Sequence, residues 1–143
     1  MKRRLLLVDD DLAVLLTLKT VLEFHGFEVE TATSTAEALA RLGSSTYQMV
    51  ISDLRMETED AGLRVLRAAR GQNYDPATAL LTAYPPSGEH WQGDHSDSLL
   101  IKPLGTKDLL RQLEALLVQH EDARQARLRI AAAPAQGSAR KAG

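Results

Sequence analysis

At 143 residues, 44% of them hydrophobic, the chain has material for one domain with a single core and little for a second. It contains no cysteine, which excludes disulfides, thiolate metal sites and cysteine nucleophiles. The net charge of −2 divides unevenly between an acidic body, up to residue 118, and a mildly basic tail. Such a body argues against direct binding of nucleic acid, which needs clustered cations. No apolar stretch approaches membrane-spanning length and no charged start precedes an apolar core, so a cytoplasmic protein without a membrane partner is expected.

The apolar run Leu5 to Val8 has no polar interruption, as a central parallel strand covered on both faces requires. Asp9, Asp10 and Asp11 follow it and are suited to cap the next helix, because a carboxylate there accepts orphan N–H groups and complements the helix dipole. That helix spans Leu12 to His25, with Val14, Leu15, Leu18, Val21 and Leu22 on one face and Gly26 as its stop. Phe27 to Ala32 alternates, Glu28 and Glu30 opposing Val29, which predicts a half-exposed edge strand. Ser34 with Glu37 three residues on is a capping box opening a helix to about Leu42.

Met49 to Ser52 is the strand that delivers Asp53 into an acidic loop containing Glu57, Glu59 and Asp60. An acid set directly after a buried strand is costly to desolvate unless it meets solvent or a cation at the strand's carboxyl end. Gly62 to Arg70 is helical by its Leu63, Val65, Leu66 and Ala69 pattern, and Arg64, Arg67 and Arg70 read as its solvated face. Ala77 to Leu81 predicts a fourth strand running into Thr82 and Ala83. Where alternation calls for another helix, Tyr84 to Asp97 carries two prolines and two glycines without apolar periodicity, so a short or irregular element is expected there. His90, Asp94, His95 and Asp97 in that segment match no recognised metal-ligand spacing. Leu99 to Ile101 is the fifth strand and runs into Lys102 and Pro103. Thr106 caps a last helix whose buried stripe is Leu109, Leu110, Leu113, Leu116 and Leu117. The stripe fades after Val118, which divides the chain into a body over 1–118, a helical extension over 119–130 and a disordered tail over 131–143.

Five strands alternating with helices imply an α/β doubly wound sheet, and neighbouring parallel strands bring their polar followers to one edge. Asp9, Asp10 and Asp53 would then share a crevice with Thr82 and Lys102. Oxygen ligands of this kind suit Mg²⁺, and a carboxylate facing Mg²⁺ with a lysine and a hydroxyl opposite is equipped for phosphoryl transfer.

The motifs Leu5-Leu6-Leu7-Val8-Asp9-Asp10-Asp11, Asp53-Leu54-Arg55-Met56, Leu80-Leu81-Thr82-Ala83-Tyr84 and Lys102-Pro103 resemble the signature set of receiver domains of bacterial two-component response regulators. The resemblance covers residues 3 to 118 and implies a flavodoxin-like five-stranded parallel sheet in the order 2-1-3-4-5. It implies Asp53 as phosphoacceptor, taking phosphate from a sensor histidine kinase or a histidine phosphotransfer protein. Asp9, Asp10, Asp53 and the backbone carbonyl of Arg55 would hold Mg²⁺, and Thr82, Ala83 and Lys102 would contact the phosphoryl group. The chain would catalyse at most its own phosphoryl transfer and dephosphorylation, and would signal through an output protein or a homodimer that the sequence does not specify.

The sequence departs from the family pattern at several places. Glu57 stands where Pro commonly follows the Met, and the loop to Gly62 is one residue longer. Leu99 occupies the position of the aromatic residue that the family couples to its switch Thr, here Thr82, leaving Tyr84 as the candidate aromatic lever. Two alternatives follow. One is a docking module with the receiver fold that works without phosphate. The other is a haloacid-dehalogenase-type phosphatase, in which Asp9 is the nucleophile and Asp11 the general acid.

Overall fold

The computed structural model describes residues 3–82, 98–101 and 106–132. Its strands are β1 (Arg3–Val8), β2 (Phe27–Ala32), β3 (Met49–Ser52), β4 (Ala77–Thr82) and β5 (Ser98–Ile101). They form one parallel sheet in the order β2-β1-β3-β4-β5, the arrangement expected of a doubly wound sheet. The helices are α1 (Leu12–Phe24), α2 (Thr35–Ser44), α3 (Ala61–Arg70) and α4 (Thr106–Ala132). The segment 84–97, expected to be short or irregular, and residues 133–143 of the expected tail lie outside the described residues, whereas Ala131 and Ala132, also expected in that tail, are the last residues of α4.

The uninterrupted apolar runs are explained by two cores, one on each face of the sheet. Leu5, Leu7, Met49, Ile51, Ala79 and Leu81 project to one side and pack with Leu15 and Leu22 of α1 and Leu109, Leu113 and Leu116 of α4. Leu6, Val8, Val50 and Leu80 project to the other and pack with Ala38 and Leu42 of α2 and Val65, Leu66 and Ala69 of α3. Successive strand residues point to opposite faces, so a strand covered on both sides must be apolar at every position. Each fully buried leucine contributes about 1.5–3 kcal/mol, and β1 places three of them, Leu5, Leu6 and Leu7, in the two cores.

Local signals set the boundaries. Asp11 is the N-cap of α1 and accepts from the backbone N–H of Ala13 and Val14. Gly26 has φ +94, the left-handed conformation that ends α1 and turns the chain into β2. At α2 the Ser34 hydroxyl accepts from Glu37 N at 3.1 Å as expected, but Glu37 reaches back to Thr33 N at 2.7 Å and to the Thr33 hydroxyl, one residue earlier than a capping box requires. Those Thr33 bonds hold the Glu37 carboxyl below its ordinary value, the backbone N–H being the largest influence. β2 is the edge strand, with Phe27 and Val29 buried, Glu28 exposed and Glu30 half-buried under the Arg4 guanidinium.

α4 has 27 residues, which at 1.5 Å each makes it about 40 Å long. Its apolar stripe stops at Leu117, yet the helix continues and touches the body again at the turn between α3 and β4. His120 Nε2 lies 2.8 Å from the Asp75 carbonyl oxygen, and Arg127 donates to the Asp75 carboxylate at 2.7 Å. Asp75 has φ 51, a left-handed conformation that aspartate tolerates better than most residues. Arg64, Arg67 and Arg70 are all exposed, as expected of a solvated helix face.

Candidate functional site

The sheet register brings the acids together. Val8 pairs with Ser52 across β1 and β3, so Asp9 and Asp53, each one residue further on, leave the sheet side by side. Two bonds extend the ladder past the strand ends: Asp53 N donates to the Val8 carbonyl at 2.8 Å and Asp9 N to the Ala32 carbonyl at 3.1 Å. One oxygen each from Asp9, Asp10 and Asp53 lie within 4.8 Å of one another, with Asp9 buried, Asp53 half-buried and Asp10 exposed.

The neighbouring backbone fixes these carboxylates. Asp9 Oδ1 accepts from Asp11 N at 2.9 Å, and Asp53 Oδ1 accepts from Leu54 N at 2.8 Å. Asp11 is the helix cap, so the three consecutive acids divide into one capping residue and two that join Asp53. Three neighbouring carboxylates are a hard-oxygen donor set. Two oxygens on one Mg²⁺ lie at most about 4.2 Å apart, so the observed spread closes on an ion with small side-chain movement. The residues present fit Mg²⁺.

β4 ends at Thr82, which is 1% exposed and pairs with Ile101 of β5. Thr82 therefore sits at the same sheet edge as the acids, and Lys102 follows directly on Ile101 in the sequence. Lys102, Pro103, Ala83 and Tyr84 lie outside the described residues. Leu99 pairs with Leu80 on the backbone of β5. Arg55 lies in the loop after Asp53 with its side chain exposed.

Two features of that loop carry no local sequence signal. The first is Gly62, the second residue of α3, whose N–H donates to the Leu54 carbonyl at 2.7 Å. A Cβ at Gly62 would lie 2.1 Å from the Asp53 carbonyl oxygen and 2.7 Å from Leu54 Cα, so only glycine lets α3 start this close to Asp53. The second is Glu57, whose Oε1 accepts from Thr35 N at 2.9 Å across 22 positions of sequence. The Thr35 hydroxyl stands near the same carboxylate but outside hydrogen-bond geometry. That hydroxyl is still the largest of the influences holding Glu57 below its usual carboxylate value, with desolvation opposing it.

Residues 5–114 match the family described as Response regulator receiver domain. Response regulator MprA of Mycobacterium tuberculosis is 37% identical over 119 residues, a stretch that covers 82% of this chain and 51% of that protein. Response regulator MprA of Mycolicibacterium vanbaalenii is 37% identical over 116 residues, covering 80% and 50%. The chain thus spans about half the length of these curated relatives. Among solved structures, a CheY-like receiver domain protein from Methanospirillum hungatei superposes with a TM-score of 0.78 at 26% identity, covering 86% of this chain and 99% of that one. The response regulator TrrA from Thermotoga maritima, solved in complex with Mg²⁺ and BeF, superposes with a TM-score of 0.68 at 32% identity, covering 81% and 99%. With its acids at the sheet edge these matches lead to expect, the chain belongs to the response regulator receiver domain family of two-component systems.

Proposed function

We propose that this chain is a working phosphoacceptor: Asp53 takes a phosphoryl group from a phosphohistidine of a sensor kinase or phosphotransfer protein. The observation that supports this most is the gathering of Asp9, Asp10 and Asp53 at one edge of the sheet, with Thr82 closing the neighbouring strand. A bound Mg²⁺ supplies positive charge against the phosphoryl oxygens, held by Asp9, Asp10, Asp53 and the carbonyl of Arg55. A carboxylate oxygen of Asp53 attacks phosphorus in line, the phosphorus–nitrogen bond breaks, and the histidine nitrogen keeps the electron pair. The Leu54 N–H on Oδ1 orients that carboxylate. Thr82 and Ala83 then hold the phosphoryl oxygens with Lys102, whose ammonium offsets their charge. Beyond gaining and losing its own phosphoryl group the chain catalyses nothing, works in the cytoplasm, and passes the signal on by protein contact. Thr82, Tyr84 and Leu99 are the positions through which the phosphorylated state is reported.

Asp11 serves as the N-cap of α1 through its Oδ1, a structural role that accounts for this acid without the phosphatase alternative. Among the described residues no helix is long and apolar enough to cross a membrane. Peptide mapping after incubation with Mg²⁺ and acetyl phosphate tests the reading. Label on the peptide containing Asp53 is expected. Label on the Asp9 peptide would revive the phosphatase, and no label on either would favour docking without phosphate.

A further inference from the structure

The loop from Asp53 to Asp60 must hold its shape for a backbone carbonyl to serve as a metal ligand, and it is braced in part by bonds within itself. Met56 N donates to the Thr58 carbonyl at 3.1 Å, and the Thr58 hydroxyl donates to the Asp60 carboxylate at 2.9 Å. At its far end the loop is pinned by Gly62 N on the Leu54 carbonyl. Its middle is joined to another element by Glu57, whose carboxylate meets the first N–H of α2 at Thr35.

We propose that Glu57 is a positioning residue for the Mg²⁺ site, a fixed strut between the acceptor loop and the N-terminus of α2. The inference rests on the phosphoacceptor reading above. Thr35 is well placed as an anchor. It is buried, begins a helix whose Ala38 and Leu42 are core residues, and follows β2, which is hydrogen-bonded to β1. A carboxylate at a helix N-terminus also satisfies an N–H that the helix cannot satisfy itself and opposes the helix dipole. The strut thus orders the loop before the ion arrives, so binding spends less on ordering the loop carbonyl. Glu57 does not itself touch the ion. It acts through the loop.

The two ends of the bond can be removed separately. Glu57→Ala removes the acceptor, whereas Glu57→Gln keeps an amide oxygen for Thr35 N and loses the charge. Thr35→Pro removes the donor at a position where helices accept proline, and Ser34, with φ −152 and ψ 164, already has the extended backbone that precedes proline. Mg²⁺ binding by the full chain, measured by isothermal titration calorimetry without any phosphodonor, is the readout, with circular dichroism confirming that each variant is folded. Loss of one hydrogen bond to a carboxylate predicts Mg²⁺ binding weaker by roughly tenfold or more in Glu57→Ala and in Thr35→Pro. The double variant should be no weaker than either single one, and Glu57→Gln, which keeps the acceptor and loses the charge, should fall between wild type and Glu57→Ala. Equal affinity in wild type and Glu57→Ala would overturn the strut. Equal weakening in Glu57→Ala and Glu57→Gln would overturn it too, since only the charge would then matter. Absence of Mg²⁺ binding in wild type is a different result, and would remove the phosphoacceptor reading along with the strut.

Discussion

Replacing Gly62 by alanine sets two effects of opposite sign against each other. On helix propensity alone, glycine to alanine inside a helix gains up to about 1 kcal/mol. Against that, the new methyl carbon would lie 2.1 Å from the Asp53 carbonyl oxygen, 2.7 Å from Leu54 Cα and 2.8 Å from the Asp53 carbonyl carbon. Unstrained heavy atoms of these types sit roughly 3.5–4 Å apart, so α3 or the end of β3 must move by more than 1 Å. All three obstructing atoms are backbone, which no rotamer change relieves. The same movement strains the bond of 2.7 Å between Gly62 N and the Leu54 carbonyl, a contribution of about 1 kcal/mol. Overpacking of this kind costs about 1–3 kcal/mol, and with the strained bond added and the propensity gain subtracted Gly62→Ala destabilises by about 1–3 kcal/mol net. That is a large part of the 5–15 kcal/mol typical of a domain. Urea unfolding should show a lower midpoint with an unchanged slope. A variant within about 0.5 kcal/mol of wild type, or more stable than it, would refute the reasoning.

Alkaline pH probes the second core. Burial, then the hydrogen bond to Glu30, pushes the Tyr47 hydroxyl up to about 12 from an ordinary 10.0. The unfolded chain therefore loses this proton first, and the stability it confers is complete below pH 10 and disappears as pH rises toward 12. Tyr74 is also pushed up by burial, so Tyr47→Phe should flatten the alkaline fall in the chemical unfolding midpoint without abolishing it. An unchanged profile would contradict the assignment. At the far end of α4, Arg127→Ala removes the ion pair to Asp75, whose partners are 58% and 38% exposed. Amide exchange over residues 120–132 should rise while global stability changes by less than about 1 kcal/mol, and unaltered exchange there would show that the extension does not depend on this contact.

What the sequence reveals and what it hides follow from the range of each interaction. Leu5 to Val8, Met49 to Ile51 and Ala79 to Leu81 are apolar at every position because both faces are covered, and that is legible residue by residue. The caps at Asp11 and Ser34 and the stop at Gly26 are equally local. Given the strand order, the meeting of Asp9, Asp10 and Asp53 follows from their places after β1 and β3. Gly62 gave no such signal, because a glycine near a helix start has many uses and its reason here is a backbone eight or nine positions earlier. Glu57 reads as one acid among several in a polar loop, and its partner Thr35 lies in another element. Glu37 shows a smaller failure of the same kind, where the capping pattern was present but the side chain bonded one residue further back. The α4 extension was legible as propensity, whereas its return to Asp75 was not, since that contact spans the chain from residue 75 to residue 127.

The most direct test of the phosphoacceptor is the intact mass of the full chain after incubation with acetyl phosphate, with Mg²⁺ or with a chelator, for wild type and for Asp53→Asn. One added phosphoryl group in wild type that requires Mg²⁺ and is absent from Asp53→Asn is the predicted result. An unmodified wild type, or equal labelling of Asp53→Asn, would contradict the assignment of Asp53.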